Sequence, residues 1–317
     1  MNFLDHKQLK KFLKDKNLCD NAEQLLSELN NVINKTVTNH ANKIRNQKRK
    51  DQLDLFKEKF LAKDYLSREQ VSKLPSFLKE EIETLEITGN TKKTLISSDG
   101  KKYNLDNKLN DLSGAEWSYF LRSVINTRYQ TSGIESYAHK IRKIHPSPKP
   151  PQLMRDLIKF FTKENDIVLD YFMGVGGTLL GASLCNRKAL GIELNTTFIE
   201  AYKKANKELK LIEQHTICGD AIEILNNKEL INKFLGDNLF SLIAIDPPYG
   251  DMMSRVKTGE AIKKKQSTLP TPYTDKNNDL GNMESEKFLS VFIDSIVQSS
   301  VFLKNNGHLI VFIKDLQ

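Results

Sequence analysis

The sequence predicts an α/β protein built on a doubly wound parallel sheet, preceded by a mainly helical region. Three observations carry this. From Gln152 onward, short apolar runs alternate with amphipathic segments, the pattern that yields parallel strands joined by helical crossovers. One run opens into Gly174, Gly176 and Gly177, at the carboxyl edge where open sheets of this class take their ligands. Successive runs then end at acids: Asp170, Glu193, Asp220 and Asp246.

Residues 1 to 83 are polar, nearly free of Gly and Pro, and carry Leu25, Leu26 and Leu29, then Leu53, Leu55, Phe56 and Phe60, at broken helical spacing. Thr84 to Leu105 changes to short Thr, Ile and Leu runs separated by Gly-Asn and Asp-Gly, which predicts strands and turns. Residues 114–130 return to helix. "HPSPKPPQ" follows, with four prolines that predict a stiff, extended connection. Beyond it "LMRDLIKFFTK" reads as an amphipathic helix, "DIVLDYF" as a buried strand, "GTLLGASLC" as a helix and "KALGIEL" as a strand. "NTTFIEAYKKANKELKLI" is a helix, "HTICGD" and "FSLIAID" are strands, "FLSVFIDSIVQSSVFLK" is a helix and "GHLIVFIKD" the last strand.

The composition narrows the class. A chain of 317 residues with 39% hydrophobic and 28% charged residues holds one large domain, or one domain and an appendage. No run approaches the ~18 apolar residues of a membrane-spanning helix, and the N-terminal residues lack an apolar signal core, so a cytoplasmic protein is expected. Cys19, Cys185 and Cys218 form no CxxC pair, which points to neither a zinc site nor a disulfide framework; no metal is expected. The net charge of +8 favours polyanionic partners. It gathers at Lys43, Arg45, Lys48, Arg49 and Lys50, and again at Arg255, Lys257, Lys263, Lys264 and Lys265. The second cluster lies in a long polar stretch, Gly250 to about Glu284. Loops of that length in a compact domain are functional or disordered, and a lid that contacts nucleic acid is expected.

The glycines alone would suit any strand-to-helix turn, and no Gly-Lys-Ser/Thr follows them to make a phosphate loop. Glu193 adds to them. An acid at the end of the second strand, about 20 residues past the glycine loop, is where a ribose diol is held.

Asp170-Tyr171-Phe172-Met173-Gly174-Val175-Gly176-Gly177-Thr178, followed by Asp246-Pro247-Pro248-Tyr249, resembles the amino-methyltransferases of DNA modification. His145-Pro146-Ser147-Pro148-Lys149-Pro150 is similar to the segment that precedes the glycine loop in that family. The resemblance covers residues 115–317, with Tyr171 standing where the family usually has proline. It implies a Rossmann-like S-adenosylmethionine (SAM)-dependent methyltransferase domain over 111–317, after a helical or mixed region 1–110. By the same resemblance Asp170, Phe172, Gly174 and Gly176 cradle the methionine part of SAM. Glu193 holds the ribose, Asp220 and Ala221 read the adenine, and Lys149 and Pro150 lie near the amino-acid end.

The implied chemistry suits the residues. An exocyclic amine is a poor nucleophile because its lone pair is delocalised into the ring. Two acceptors aimed at its hydrogens draw it toward tetrahedral geometry: the Asp246 carboxylate and the Pro247 carbonyl, the latter stiffened by Pro248. Tyr249 offers a face on which an extruded base stacks. An acid at the first position favours N6 of adenine in double-stranded DNA, as in a restriction-modification system. N4 of cytosine and guanine N2 of transfer RNA remain alternatives, as does a non-catalytic nucleic-acid-binding subunit. A nicotinamide dehydrogenase on a similar sheet fails on the Asp-Pro-Pro-Tyr strand end.

The seven-stranded sheet of the family would lack its closing antiparallel pair here. Either Thr84–Leu105 supplies it, or a second chain or self-association does, or the chain is a fragment; the last is the preferred expectation.

Overall fold

The computed structural model describes residues 60–89, 91–122, 129–248, 250 and 273–313. The chain divides by its internal contacts into Met1–Lys59 and Phe60–Gln317, and the described residues all belong to the second unit. The helical expectation for residues 1–59 and the cluster Lys43–Lys50 lie outside them.

The described chain begins with β1 (Phe60–Leu61), α1 (Ala62–Tyr65), α2 (Arg68–Ser72) and α3 (Ser76–Glu80). The expected helix is thus broken into short pieces. Ser67 and Gln70 form a capping box that starts α2 afresh, and Pro75 restarts the chain at α3, as caps and proline dictate. The strands β2 (Glu86–Thr88), β3 (Thr94–Ile96) and β4 (Lys102–Asn104) follow. With β1 they make an antiparallel sheet in the order β1-β2-β3-β4, closed over Ala62, Leu74, Leu78, Leu85, Ile87 and Leu95. These strands pair with one another, so Thr84–Leu105 does not supply the closing strands of the larger sheet. α4 (Gly114–Phe120) begins at a Ser113–Glu116 capping box, and α5 (His139–Arg142) leads into the proline segment.

The larger sheet consists of β5 (Ile167–Asp170), β6 (Lys188–Glu193), β7 (His215–Cys218), β8 (Phe240–Ile245) and β9 (Leu303–Val311). Its order is β7-β6-β5-β8-β9, every pair parallel. α6 (Pro151–Phe161) precedes them, and between them run α7 (Gly177–Ser183), α8 (Thr196–Leu209), α9 (Ala221–Asn226), α10 (Lys228–Leu235) and α11 (Ser285–Ser300). Pro151 sits at the first position of α6, where its missing N–H costs nothing.

Side chains alternate across β5. Val168 joins the core with Met154, Ile158, Leu179 and Tyr202, while Ile167 and Leu169 join Leu190, Ile224, Ile231 and Phe302 on the other face. The chain turns back on itself between β5 and β8, which places the topological switch, and hence a crevice, at the carboxyl end of β5.

The last helix ends sooner than the sequence suggests. Its apolar run continues through Val301 and Phe302 to Leu303, but α11 stops at Ser300 and Leu303 already pairs with Phe240. Among the described residues β9 is an edge strand. On α11 and its C-cap, Leu289, Ile293, Val297 and Val301 recur at four-residue spacing and are 50–61% exposed. An open edge and an apolar stripe favour association. We expect Ile293→Lys combined with Val297→Glu to shift sedimentation toward the smallest species, with a thermal midpoint within about 2 °C of the parent, as for surface changes.

Candidate active site

The glycine loop is tied to the sheet by Asp170. One carboxylate oxygen accepts the Phe172 N–H at 3.1 Å and the other accepts the Thr178 hydroxyl, so one acid holds both ends of the loop. Burial pushes its carboxyl up to about 7. The three glycines have different neighbours. A Cβ on Gly174 would lie 3.2 Å from His145 Nε2, and one on Gly177 would lie 2.6 Å from the Lys149 carbonyl oxygen. On Gly176 it would meet the Tyr202 ring at 2.3 Å.

Glu193 ends β6 beside the loop. Oε2 accepts the Gly174 N–H and Oε1 the Asn195 N–H, each at 2.8 Å. Burial pushes its carboxyl up to about 7 against the pull of these donors. Asp220 caps α9, with Oδ1 accepting the Ile222 N–H at 2.7 Å. Its Oδ2 accepts the Asn278 amide N–H, also at 2.7 Å. Asp246 follows the last residue of β8, and its Oδ2 is 2.9 Å from Lys149 Nζ. That ammonium also stands 4.0 Å over the Phe312 ring.

Lys149, Asp170, Phe172, Gly174, Glu193, Asp220, Ala221, Asp246 and Pro248 share the wall of one cleft, of about 920 Å³ counting its open mouth. Pro150, Gly176 and Pro247 are not on that wall. Pro150 caps α6, and Gly176 caps α7 with φ +73°. Tyr249 and the cluster Arg255, Lys257, Lys263, Lys264 and Lys265 lie outside the described residues.

The sequence reading missed much of the wall. His145 and Phe198 pack edge to face at 4.8 Å, and His145 stacks on Tyr273 at 5.1 Å. Residues 273–282 form a strap along the rim. The Tyr273 carbonyl accepts the Asn195 amide at 3.0 Å, Lys276 Nζ donates to the Leu194 carbonyl at 3.1 Å, and Asn278 reaches Asp220. Within it, Asp279 accepts the Thr274 hydroxyl at 2.8 Å and the Gly281 N–H at 2.8 Å. The end of the stretch assigned to nucleic acid therefore lines the same cleft as the glycine loop. Its Asn-Asp-Leu-Gly-Asn run was the available signal, since such residues cap their own turns. Among the described residues no group of His, Cys, Asp and Glu is arranged to hold a metal ion, and no helix is long and apolar enough to cross a membrane.

The raised carboxyls predict a pH dependence. Folding takes up protons between an ordinary carboxylate pKa of about 4 and the folded value of about 7. Their contribution to stability is therefore present at acidic pH and lost as pH rises through 7. The thermal midpoint of the ligand-free protein should fall between about pH 5 and pH 7.5, and Glu193→Gln should flatten that slope, as read by circular dichroism melts.

The sequence profile of a family described as DNA methylase matches residues 4–204. The chain belongs to this family. The match takes in the N-terminal region, which the motifs alone had left without a resemblance, and ends before the strand that leads to Asp246. The chain is 30% identical over 165 residues to the tRNA (guanine(10)-N2)-dimethyltransferase of Methanocaldococcus jannaschii, covering 50% of this chain and 44% of that protein. It is 40% identical over 68 residues to the type II methyltransferase M.HpaI of Haemophilus parainfluenzae, covering 22% of each. The matched stretch thus spans less than half of either relative. A SAM-dependent methyltransferase from Geobacter sulfurreducens, solved with S-adenosyl-L-homocysteine, aligns with a TM-score of 0.31 at 13% identity over 54% of this chain and 52% of that one.

Membership brings SAM as the cofactor, and the described residues fit it. Gly174 lines the cleft beside His145, Glu193 and Asp220 present acceptors for hydroxyl and amino groups, and the wall adds aromatic faces at Phe172, Phe198 and Tyr273.

Proposed function

We propose that this chain transfers a methyl group from SAM to the exocyclic amine of a flipped base in double-stranded DNA, with N6 of adenine as the target. The observation that carries the reading is the position of Asp246 on the wall of the cleft that also holds Asp170, Gly174 and Glu193. A cofactor pocket and an acceptor for an amine thereby share one space.

In this reading Glu193 holds the ribose hydroxyls, Asp220 and Ala221 read the adenine ring, and Phe172 and Gly174 cradle the methionine part. Lys149 serves the amino-acid end. When bound, the cofactor supplies a methyl group on a sulfonium. Asp246 accepts one N–H of the target amine, and the family resemblance assigns the other to the carbonyl of Pro247, the neighbour of Asp246 just off the cleft wall. Together they hold the nitrogen lone pair out of conjugation with the ring and toward the methyl group. The Asp246 carboxylate then takes the proton the amine sheds. Tyr249 stacks on the base, and Arg255, Lys257, Lys263, Lys264 and Lys265 meet phosphates, a sequence-independent and salt-sensitive contribution.

A second reading, methylation of guanine N2 in transfer RNA, is favoured by the longer similarity to the archaeal enzyme, 165 residues against 68 for M.HpaI. The test separates them. The purified chain is incubated with methyl-labelled SAM and either mixed-sequence duplex DNA or bulk transfer RNA, and the labelled nucleosides are separated by chromatography. Label in N6-methyladenine of DNA is the expected result. Label in N4-methylcytosine keeps the DNA reading and changes the base, while label in transfer-RNA guanine replaces it with the second reading.

A further inference from the structure

Lys149 is the one lysine or arginine on the cleft wall among the described residues. His145 shares that wall as a neutral ring, since burial pushes its pKa down to about 4. The acids on the wall are Asp170, Glu193, Asp220, Asp246 and Asp279, of which burial raises Asp170 and Glu193 to about 7. An anionic group entering this cleft therefore has a single cation to meet, and that cation rests on Asp246.

The backbone of Lys149 is held by its packing, while its side chain is held at the tip, by Asp246 and the Phe312 ring. Its carbonyl accepts Arg142 Nη1 at 2.7 Å, and Arg142 is 1% exposed. Gly177 packs so closely on it that a Cβ would lie 2.7 Å from the Lys149 Cβ, and Pro150 follows at the cap of α6. The ammonium, by contrast, sits at the end of four methylenes in a pair whose side chains are 27% and 23% exposed. A half-buried ammonium of this kind needs an anionic partner, and a second carboxylate brought within its reach can take the place of the first.

We propose that Lys149 exchanges partners. In the ligand-free protein its ammonium holds Asp246, and on cofactor loading it moves to the carboxylate of the cofactor's methionine end, which opens that Asp246 oxygen to the amine of the target base. Lys149 is then a positioning residue that makes cofactor loading precede productive base capture. The proposal rests on the reading of Asp246 as the amine acceptor.

The test is an equilibrium measurement on the full chain. Isothermal titration compares SAM with decarboxylated SAM, which lacks only the carboxylate, in the wild type, Lys149→Met, Asp246→Asn and the double variant. The wild type should prefer SAM by roughly three- to tenfold, and Lys149→Met should bring that ratio to about one. Asp246→Asn should tighten SAM by about threefold or more, and this gain should shrink in the double variant, because there is no pair left to break. Lys149→Arg should keep the preference for SAM, and thermal melts confirm that each variant is folded. An unchanged ratio in Lys149→Met, or equal effects of Asp246→Asn in both backgrounds, overturns the exchange. The acceptor reading is judged separately: it fails if Asp246→Asn retains methyl transfer, whatever the titrations show.

Discussion

Asp246→Asn is expected to lower kcat for methyl transfer by about 10²–10³-fold, the range seen when one charge-stabilising group at a reacting centre is removed. Single-turnover assays with labelled SAM would read it. The amide keeps a carbonyl acceptor and a similar shape, so β8 and the Pro247-Pro248 turn should stand. What is lost is the negative charge that stabilises an amine becoming cationic, and the base that receives its proton. The loss should therefore fall mainly on kcat and leave KM for the nucleic acid nearly unchanged, since the amide carbonyl still accepts the amine N–H in the ground state while the charge that matters in the transition state is gone. Asp246→Ala should be worse, because it removes both acceptor oxygens. A variant that kept kcat and raised KM alone would assign Asp246 to binding and overturn the proposed role. The titrations add an independent signature, since a variant slower in turnover yet tighter for SAM is not what general damage to the cleft would give.

Much of this cleft was legible in the sequence because its residues sit at strand ends, where one-dimensional signals are strongest. Asp170, Glu193 and Asp246 each close or follow a buried apolar run, and each run became a strand with that acid at its carboxyl edge. The strap was not legible. Tyr273, Asn278 and Asp279 belong to a short polar segment with no periodicity, and Tyr273 and Asn278 reach Asn195 and Asp220 from 78 and 58 residues away. The Lys149–Asp246 pair is likewise a product of the strand order, which sets β8 beside β5. The broken helices before β2 and the early start of β9 were missed for another reason. Pairing with β2 and β8 overrode local helical preference at Phe60–Leu61 and from Leu303 onward, and the Ser67 capping box and Pro75 divided the rest.

Gly176 caps α7 and packs on Tyr202 rather than lining the cleft, and Gly176→Ala is the substitution with the largest expected effect on stability. The residue caps α7 at φ +73°, a conformation that costs an L-residue about 1–2 kcal/mol. Its new Cβ would stand 2.3 Å from Tyr202 Cδ2 and 2.7 Å from Cγ. Tyr202 cannot yield easily: it is fully buried, and its hydroxyl accepts the Gln214 N–H at 2.7 Å. Forced overpacking of this kind costs about 1–3 kcal/mol. The sum, about 2–5 kcal/mol, corresponds to a fall of roughly 5–15 °C in the thermal midpoint of a domain this size. Gly100→Ala separates the two contributions, because Gly100 has φ +78° but nothing within 4 Å of a Cβ; it should lose only the backbone share, about 1–2 kcal/mol. If Gly176 mattered chiefly by contact with the cofactor, Gly176→Ala would melt like the parent and bind SAM weakly. The packing against Tyr202 argues for the opposite, an early melt whose still-folded fraction binds SAM with near-parental affinity.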